Sequence, residues 1–202
     1  MGAKHGLENL LNQRIKASTF DSLNDPFELL SFRAISHREK YTLNELKRKT
    51  AQKFGILCFS KIWSNPVQWA HYAQKHEGLC IEVEFSDGNG PQKVNYVNER
   101  LDFQIESNPE FSKQILLTKF EHWHYEKEYR LIRCLENFEK ENGLYFQTFC
   151  EEMKLSKIII GCQSKITREQ VLDNLNQEDK KVEIIYSRPS SKHFKIIEDL
   201  TK

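Results

Sequence analysis

The chain has 202 residues, room for one domain with a proper core and little more. Its 30 basic and 29 acidic side chains leave a formal charge of +1, so no overall field argues for nucleic acid or a membrane surface, and only a local patch remains open. A composition 39% hydrophobic and 29% charged excludes the disordered and membrane-spanning classes.

The five cysteines (Cys58, Cys80, Cys134, Cys150, Cys162) are odd in number, form no CxxC and sit mostly in apolar runs. They predict reduced core residues in a cytoplasmic protein. No apolar segment is long enough to span a bilayer, and the first residues lack the apolar run of a signal peptide.

In chain order, Leu7, Leu10, Leu11 and Ile15 share one helical face, which predicts a helix over 7–15. Residues 19–28 (TFDSLNDPFE) predict a loop: Asp21, Ser22, Asn24, Asp25 and Pro26 form turns, while Phe20, Leu23 and Phe27 pin it inward. The charged stretch 38–54 predicts a solvated helix, and 55–59 (GILCF) a buried strand. Asn65 as N-cap and Pro66 at the first position open a third helix, with Gln68 at the capping-box position. Trp69, Tyr72, Ala73 and His76 make its stripe, and Gly78 is the expected left-handed stop.

Alternation in 79–85 (LCIEVEF), the turn 86–91 and the apolar 94–97 predict an antiparallel hairpin over 80–97. Asn108 and Pro109 begin a helix through Lys119. Strands follow at 128–135 and 155–161, separated by a turn region at 136–143. A helix capped by Thr167 with Gln170 comes next, then strands at 182–186 and 193–197 around a turn at 187–191. The expected fold is a single α+β domain, 1–202, with a mixed, mostly antiparallel sheet flanked by helices.

Chemistry concentrates in 119–133 (KFEHWHYEKEYRLIR). Glu126 and Glu128 are two apart and point the same way in an extended chain, where they repel unless a cation or a hydroxyl lies between them. Such a pair suits chemistry that builds positive charge on a sugar. The plain alternative is a solvated sheet edge on which the two pair with Lys127, Arg130 or Arg133. For Trp69 and Tyr72 the plain alternative is core packing, and the sharper one is a pocket wall near Ser60.

His71 and His76 fall on different helix faces, His122 and His124 share a strand face, and no third ligand completes a metal site, so no metal is expected. Cys58 lies in an apolar run that disfavours a thiolate. Neither GxGxxG nor a P-loop is present, so Rossmann-type NAD binding is not supported.

One joint pattern carries a resemblance. Phe20, then 24–28 (NDPFE), then Cys58-Phe59-Ser60, then Trp69, His71, Tyr72, Ala73, His76, Gly78 and Cys80, then Lys119, Trp123, Tyr125, Glu126, Glu128 and Arg130 together resemble the domain of unknown function 2971 family of bacterial proteins, over about 7–161. That family is often found near phage-defence and mobile elements. A more distant similarity is to ADP-ribosyltransferases, whose landmarks are a basic or His residue on a first strand, a Ser/Thr or Tyr motif on a middle strand, and a later Glu, often within ExE. Ser60 matches the second and Glu128 the third, with Glu126 upstream. The first landmark finds no match, because the short opening strand is missing from the expected elements.

This resemblance implies NAD as substrate and a macromolecular acceptor, protein or nucleic acid, with no membrane partner. Glu128 and Glu126 are then catalytic. Ser60, Asn24, Asp25, Trp69, His71, Tyr72, Tyr125 and Arg130 bind substrate, with nicotinamide stacked on Tyr72 or Trp69. The expected function is an NAD-dependent ADP-ribosyltransferase-like toxin or phage-defence effector. The alternative is a non-catalytic protein- or nucleic-acid-interaction domain of a defence or toxin–antitoxin system.

Overall fold

Most strands belong to two sheets. The computed structural model describes residues 1–86, 88, 90–102 and 109–202, the side chains of 109–112 excepted. The larger sheet has six strands in the order Glu139–Glu141, Leu144–Thr148, Arg14–Thr19, Phe54–Ser60, Glu128–Cys134, Gln92–Lys93. At its centre Phe54–Ser60 runs antiparallel to Glu128–Cys134 along its whole length, from Phe54 opposite Cys134 to Ser60 opposite Glu128. The smaller sheet has the order Ile196–Glu198, Glu183–Pro189, Met153–Ile160, Leu79–Phe85. Met153–Ile160 is antiparallel to Leu79–Phe85 and parallel to Glu183–Pro189. Two short parallel pairs join Phe32–Arg33 to Leu101–Asp102 and Asn95–Val97 to Thr118–Phe120.

The chain divides into two compact units, 1–15 with 62–90 and 147–202, and 16–61 with 91–146. In the first, Leu10, Leu79, Ile158, Ile160, Val171 and Ile184 form a core, and Trp69 packs with Ala73, Ile159, Ile185 and Ile196. In the second, Phe20, Leu29, Leu43, Ile56 and Ile115 do so. Among the described residues no helix is long and apolar enough to cross a membrane.

The α+β class and the antiparallel bias are as expected. The helix His37–Lys53 carries a capping box between Ser36 and Glu39, and Arg168–Asp173 one between Thr167 and Gln170. Asn65 accepts the Val67 N–H at 2.8 Å and opens the helix Pro66–Tyr72.

Other expectations need correction. The first helix is Ala3–Leu11, and Ile15 belongs to the strand Arg14–Thr19, entered through Gln13 at φ 51°. An alternating Ile15 and Ala17 satisfies a sheet as readily as Ile15 satisfies a helical face. The third helix stops at Tyr72, with Gln74, Lys75 and His76 all at positive φ. Gly78 is needed for close packing rather than for a left-handed turn, since a Cβ there would lie 3.1 Å from the Ala73 carbonyl and closer still to other backbone.

Among the described residues no hairpin spans 80–97. Leu79–Phe85 takes Met153–Ile160 as partner, Gln92–Lys93 joins Glu128–Cys134, and Asn95–Val97 joins Thr118–Phe120. A turn signal between two apolar segments does not say which strand each segment takes as partner. Asp87 and Asn89 of the expected turn, like the expected helix start at Asn108, lie outside the described residues. The fourth helix is Pro109–Leu117, and Lys119 sits on the strand Thr118–Phe120. Residues 136–143 are more than a turn, for Glu139–Glu141 and Leu144–Thr148 form a hairpin there. The second-last strand runs on to Pro189, and the last begins only at Ile196. Phe27 is 53% exposed rather than pinned inward. All five cysteines are free, and Cys58 and Cys150 show surface rather than core.

Candidate functional site

Five charged side chains from distant parts of the second unit meet in its interior. Glu28 comes from the loop before Phe32, Lys119 from the strand Thr118–Phe120, Glu126 from the short helix Glu121–Glu126, and Glu128 and Arg130 from the strand Glu128–Cys134. Glu28, Glu126, Glu128 and Arg130 are all buried, Arg130 at 1% exposure.

Local backbone sets this up. Leu29 adopts φ 60°, a conformation that is costly for a non-glycine residue, while its side chain fills the core and Glu28 turns inward. Asp25 accepts the Phe27 N–H at 2.9 Å and fixes the same turn. Lys127 is left-handed at φ 46°, ψ 49° between the two glutamates. The two carboxylates therefore do not face alike along an extended chain, as expected, but converge through this kink on Lys119.

The Lys119 ammonium donates to Glu126 at 2.6 Å and to Glu128 at 3.0 Å, lies 3.8 Å from Glu28, and stands over the Trp123 ring at 4.9 Å. This is the cation that paired carboxylates require. Arg130 grips Glu28 by two bonds, 2.9 and 2.6 Å, reaches Glu128 by two more, 2.8 and 3.1 Å, and donates to the Leu116 carbonyl at 2.8 Å. The Glu128 N–H donates to the Tyr96 hydroxyl oxygen at 2.8 Å.

Burial opposes the charge on Glu128, but Arg130 and then Lys119 outweigh it and hold its carboxyl below the usual range. Burial lifts Glu28, and Arg130 opposes that without cancelling it. The bidentate grip on Glu28 has charge-assisted lengths, so we take Glu28 as ionised at neutral pH. Burial also works against Lys119 and Arg130, yet the carboxylates around them raise both. Tyr96 is pushed up to about 12, by burial first and then by the carboxylates of Glu128 and Glu126. Three carboxylates against two cations leave the cluster one negative charge in excess.

Ser60 is the cross-strand partner of Glu128, and its hydroxyl donates to the Glu126 carbonyl at 2.6 Å. Tyr125 is half-buried beside Trp123, with its pKa raised by burial first and then by Glu126. Asp25 is buried and Asn24 exposed in the loop before Glu28. The structure thus gathers Ser60, Glu126, Glu128 and Arg130 in one unit, with Asp25 and Tyr125 in the same unit.

Trp69, His71 and Tyr72 belong to the other unit. Trp69 is 3% exposed, donates its indole N–H to the Trp63 carbonyl at 2.6 Å and stacks on His76, so the plain alternative holds and no ring face remains for nicotinamide. Tyr72 is 41% exposed, and His71 meets it edge-on. His122 and His124 lie on the short helix rather than a strand, against Phe120 and Tyr96. Among the described residues no group of three His, Cys, Asp or Glu side chains gathers as metal ligands. Cys58, opposite Arg130 in the strand pair, shows some surface, but enclosure of its thiol and then the Glu128 carboxylate push its pKa well up.

Sequence reasoning gave no role to Glu28, Lys119 or Tyr96. The first two stood in the joint pattern quoted above, and that membership was the available signal. Tyr96 carried none. A cleft of about 230 Å³ opens against the cluster, with Glu28, Lys119, Phe27 and Arg100 among its walls.

The kink between the glutamates is testable. Lys127→Gly is expected to leave stability within about 1 kcal/mol of the parent, because glycine accepts this backbone freely. Lys127→Ile is expected to lose roughly 1–2 kcal/mol, since a β-branched side chain is strained there. Urea unfolding of both variants measures the difference.

Comparison with family models, with curated proteins and with solved structures returned no match.

Proposed function

We propose that this protein is an NAD-dependent transferase of ADP-ribosyltransferase type. What carries the reading is the arrangement of three neighbouring strands. Glu128 and Ser60 are direct cross-strand partners, and on the far side of the Ser60 strand runs Arg14–Thr19, whose Lys16 is a basic residue of the same unit. A strand that carries a basic residue beside the Ser60 strand supports the reading, because the expected elements had offered none for the first landmark.

In this reading Glu128 is ionised, as its lowered pKa requires, and holds the 2′-hydroxyl of the nicotinamide ribose. A ligand hydroxyl takes the place of Lys119, the one of its two cationic partners that also walls the cleft. The bond from ribose C1′ to the nicotinamide nitrogen breaks and nicotinamide leaves. The acceptor forms the new bond at C1′ and gives its proton to Glu126. About 230 Å³ admits one ring with part of its sugar, so the rest of the dinucleotide lies outside the cleft.

A second reading has its own observation. Both oxygens of Glu128 are held by Arg130 and Lys119, and the residue is 3% exposed. A carboxylate saturated in this way suits a structural ion network inside a non-catalytic interaction domain.

Incubation with labelled NAD and cell lysate separates the two. The transferase reading expects label transfer that falls by about 100-fold or more in Glu128→Gln, in a variant whose melting confirms that it is folded. Transfer that survives in Glu128→Gln, or no NAD binding by calorimetry, overturns it and leaves the interaction domain.

A further inference from the structure

We propose that the cleft of the second unit binds a planar organic cation, a guanidinium or pyridinium-type group held on the face of Phe27 within an acidic wall. This site requires no transfer chemistry and stands whether or not the protein turns over NAD.

Size comes first. Drug-sized ligand pockets run to roughly 300–1,000 Å³, so about 230 Å³ suits a single ring or an arginine head group. Charge comes second. The walls carry Asp25, Glu28 and Glu99 against Arg100 and Lys119. Behind them stand Glu126 and Glu128 against Arg130, and Lys119 is already bound by both of those glutamates. The balance is negative, so phosphate and other anions are disfavoured and cations favoured.

Shape comes third. Phe27 shows 53% of its surface, and the Arg100 guanidinium already stands over its ring, 5.0 Å from the centroid. The chain thus places a planar cation of its own on the face where the ligand would sit. A guanidinium both stacks on an aromatic ring and donates in its own plane to a carboxylate, and a nicotinamide pyridinium stacks likewise and donates through its carboxamide N–H, which a round ammonium cannot match.

The two sources of such a group are a peptide arginine and the pyridinium ring of an oxidised nicotinamide. The probes are N-acetylarginine amide and 1-methylnicotinamide, titrated against the full chain by NMR or calorimetry. Controls are the neutral citrulline amide, butylammonium and inorganic phosphate. We expect millimolar or tighter binding of at least one planar cation, about 5-fold or more above butylammonium, and none of the citrulline derivative.

Arg100→Ala should strengthen binding several-fold by vacating the Phe27 face. Phe27→Leu should weaken it by about 5-fold, and Glu99→Gln by less. All three residues are exposed, so the fold should be kept, and thermal melting checks this. A preference for the arginine derivative assigns a peptide source and a preference for the pyridinium a nucleotide source. The proposal is overturned by citrulline or phosphate binding as well as the cations, by an unchanged affinity in Phe27→Leu, or by no binding to Arg100→Ala at about 10 mM.

Discussion

Replacing Arg130 by Met is expected to destabilise the second unit by roughly 3–5 kcal/mol. The guanidinium is fully enclosed and makes four bonds to Glu28 and Glu128 and one to the Leu116 carbonyl. Methionine fills much of the space but leaves Glu28 and Glu128 buried without their main partner, and Lys119 alone cannot neutralise three carboxylates. The cost lies in the stranded charges, so it should be recoverable. Arg130→Met combined with Glu28→Gln and Glu128→Gln is expected to regain most of the loss, because neutral amides tolerate an apolar neighbour better than carboxylates do. Arg130→Lys should remain well below the parent, since a point ammonium cannot reproduce the two-sided fork. Urea-unfolding midpoints of the three variants measure this, and a loss under about 1 kcal/mol in Arg130→Met would show that the network contributes little.

In the other unit, Gly161→Ala is expected to cost about 3 kcal/mol, the upper end of overpacking. A Cβ at this position would lie 2.2 Å from the His76 carbonyl oxygen and 2.7 Å from that of Gly78. Both are backbone atoms, and both are fixed: Gly161 N–H donates to the Gly78 carbonyl at 2.9 Å, and Gln163 N–H to that of His76 at 3.1 Å. No side chain can swing aside to make room. For a chain of this length the expected fall in melting temperature is roughly 6–12 °C. Gly143→Ala is the contrast. It sits at φ 79° with nothing within 4 Å, so only backbone strain of about 1 kcal/mol is expected. Thermal melting of the two variants separates contact from strain, and equal losses would refute the close-approach argument.

Much of the element pattern was legible because its signals are local. Asn65 with Pro66 and Thr167 with Gln170 each announce a helix start within four residues, and Ser36 with Glu39 carries the same signal, which a reading of 38–54 from charge alone passes over. The apolar runs at 55–59 and 155–161 announce buried strands. Partners were not legible. Leu79–Phe85 alternates in the same way whether it pairs with 94–97 or with Met153–Ile160, and only tertiary packing decides. Stops without glycine were also hidden, since Gln74, Lys75 and His76 carry no turn signature yet all take positive φ.

At the site, the ExE spacing called for a cation or a hydroxyl between the carboxylates and could not say which, and the structure places Lys119 there. Lys119 precedes Glu126 by one short helix and was expected at the end of a longer one. Glu28 reaches the same cluster from about 100 positions upstream of Arg130, a separation no local pattern spans. Trp69 and Tyr72 shared a helical stripe in the sequence, but one is a core residue and the other is exposed at the helix end.

The way the chain alternates between its units also fixes an order of assembly during synthesis. Once Phe146 has been made, every segment of the second unit exists, and its sheet can close while translation continues. The strand Leu79–Phe85 has by then been made without its sheet partner, because Met153–Ile160 is still to come. An edge left open until late in synthesis is the part of this fold most exposed to pairing with another chain, and the first unit is the later of the two to complete.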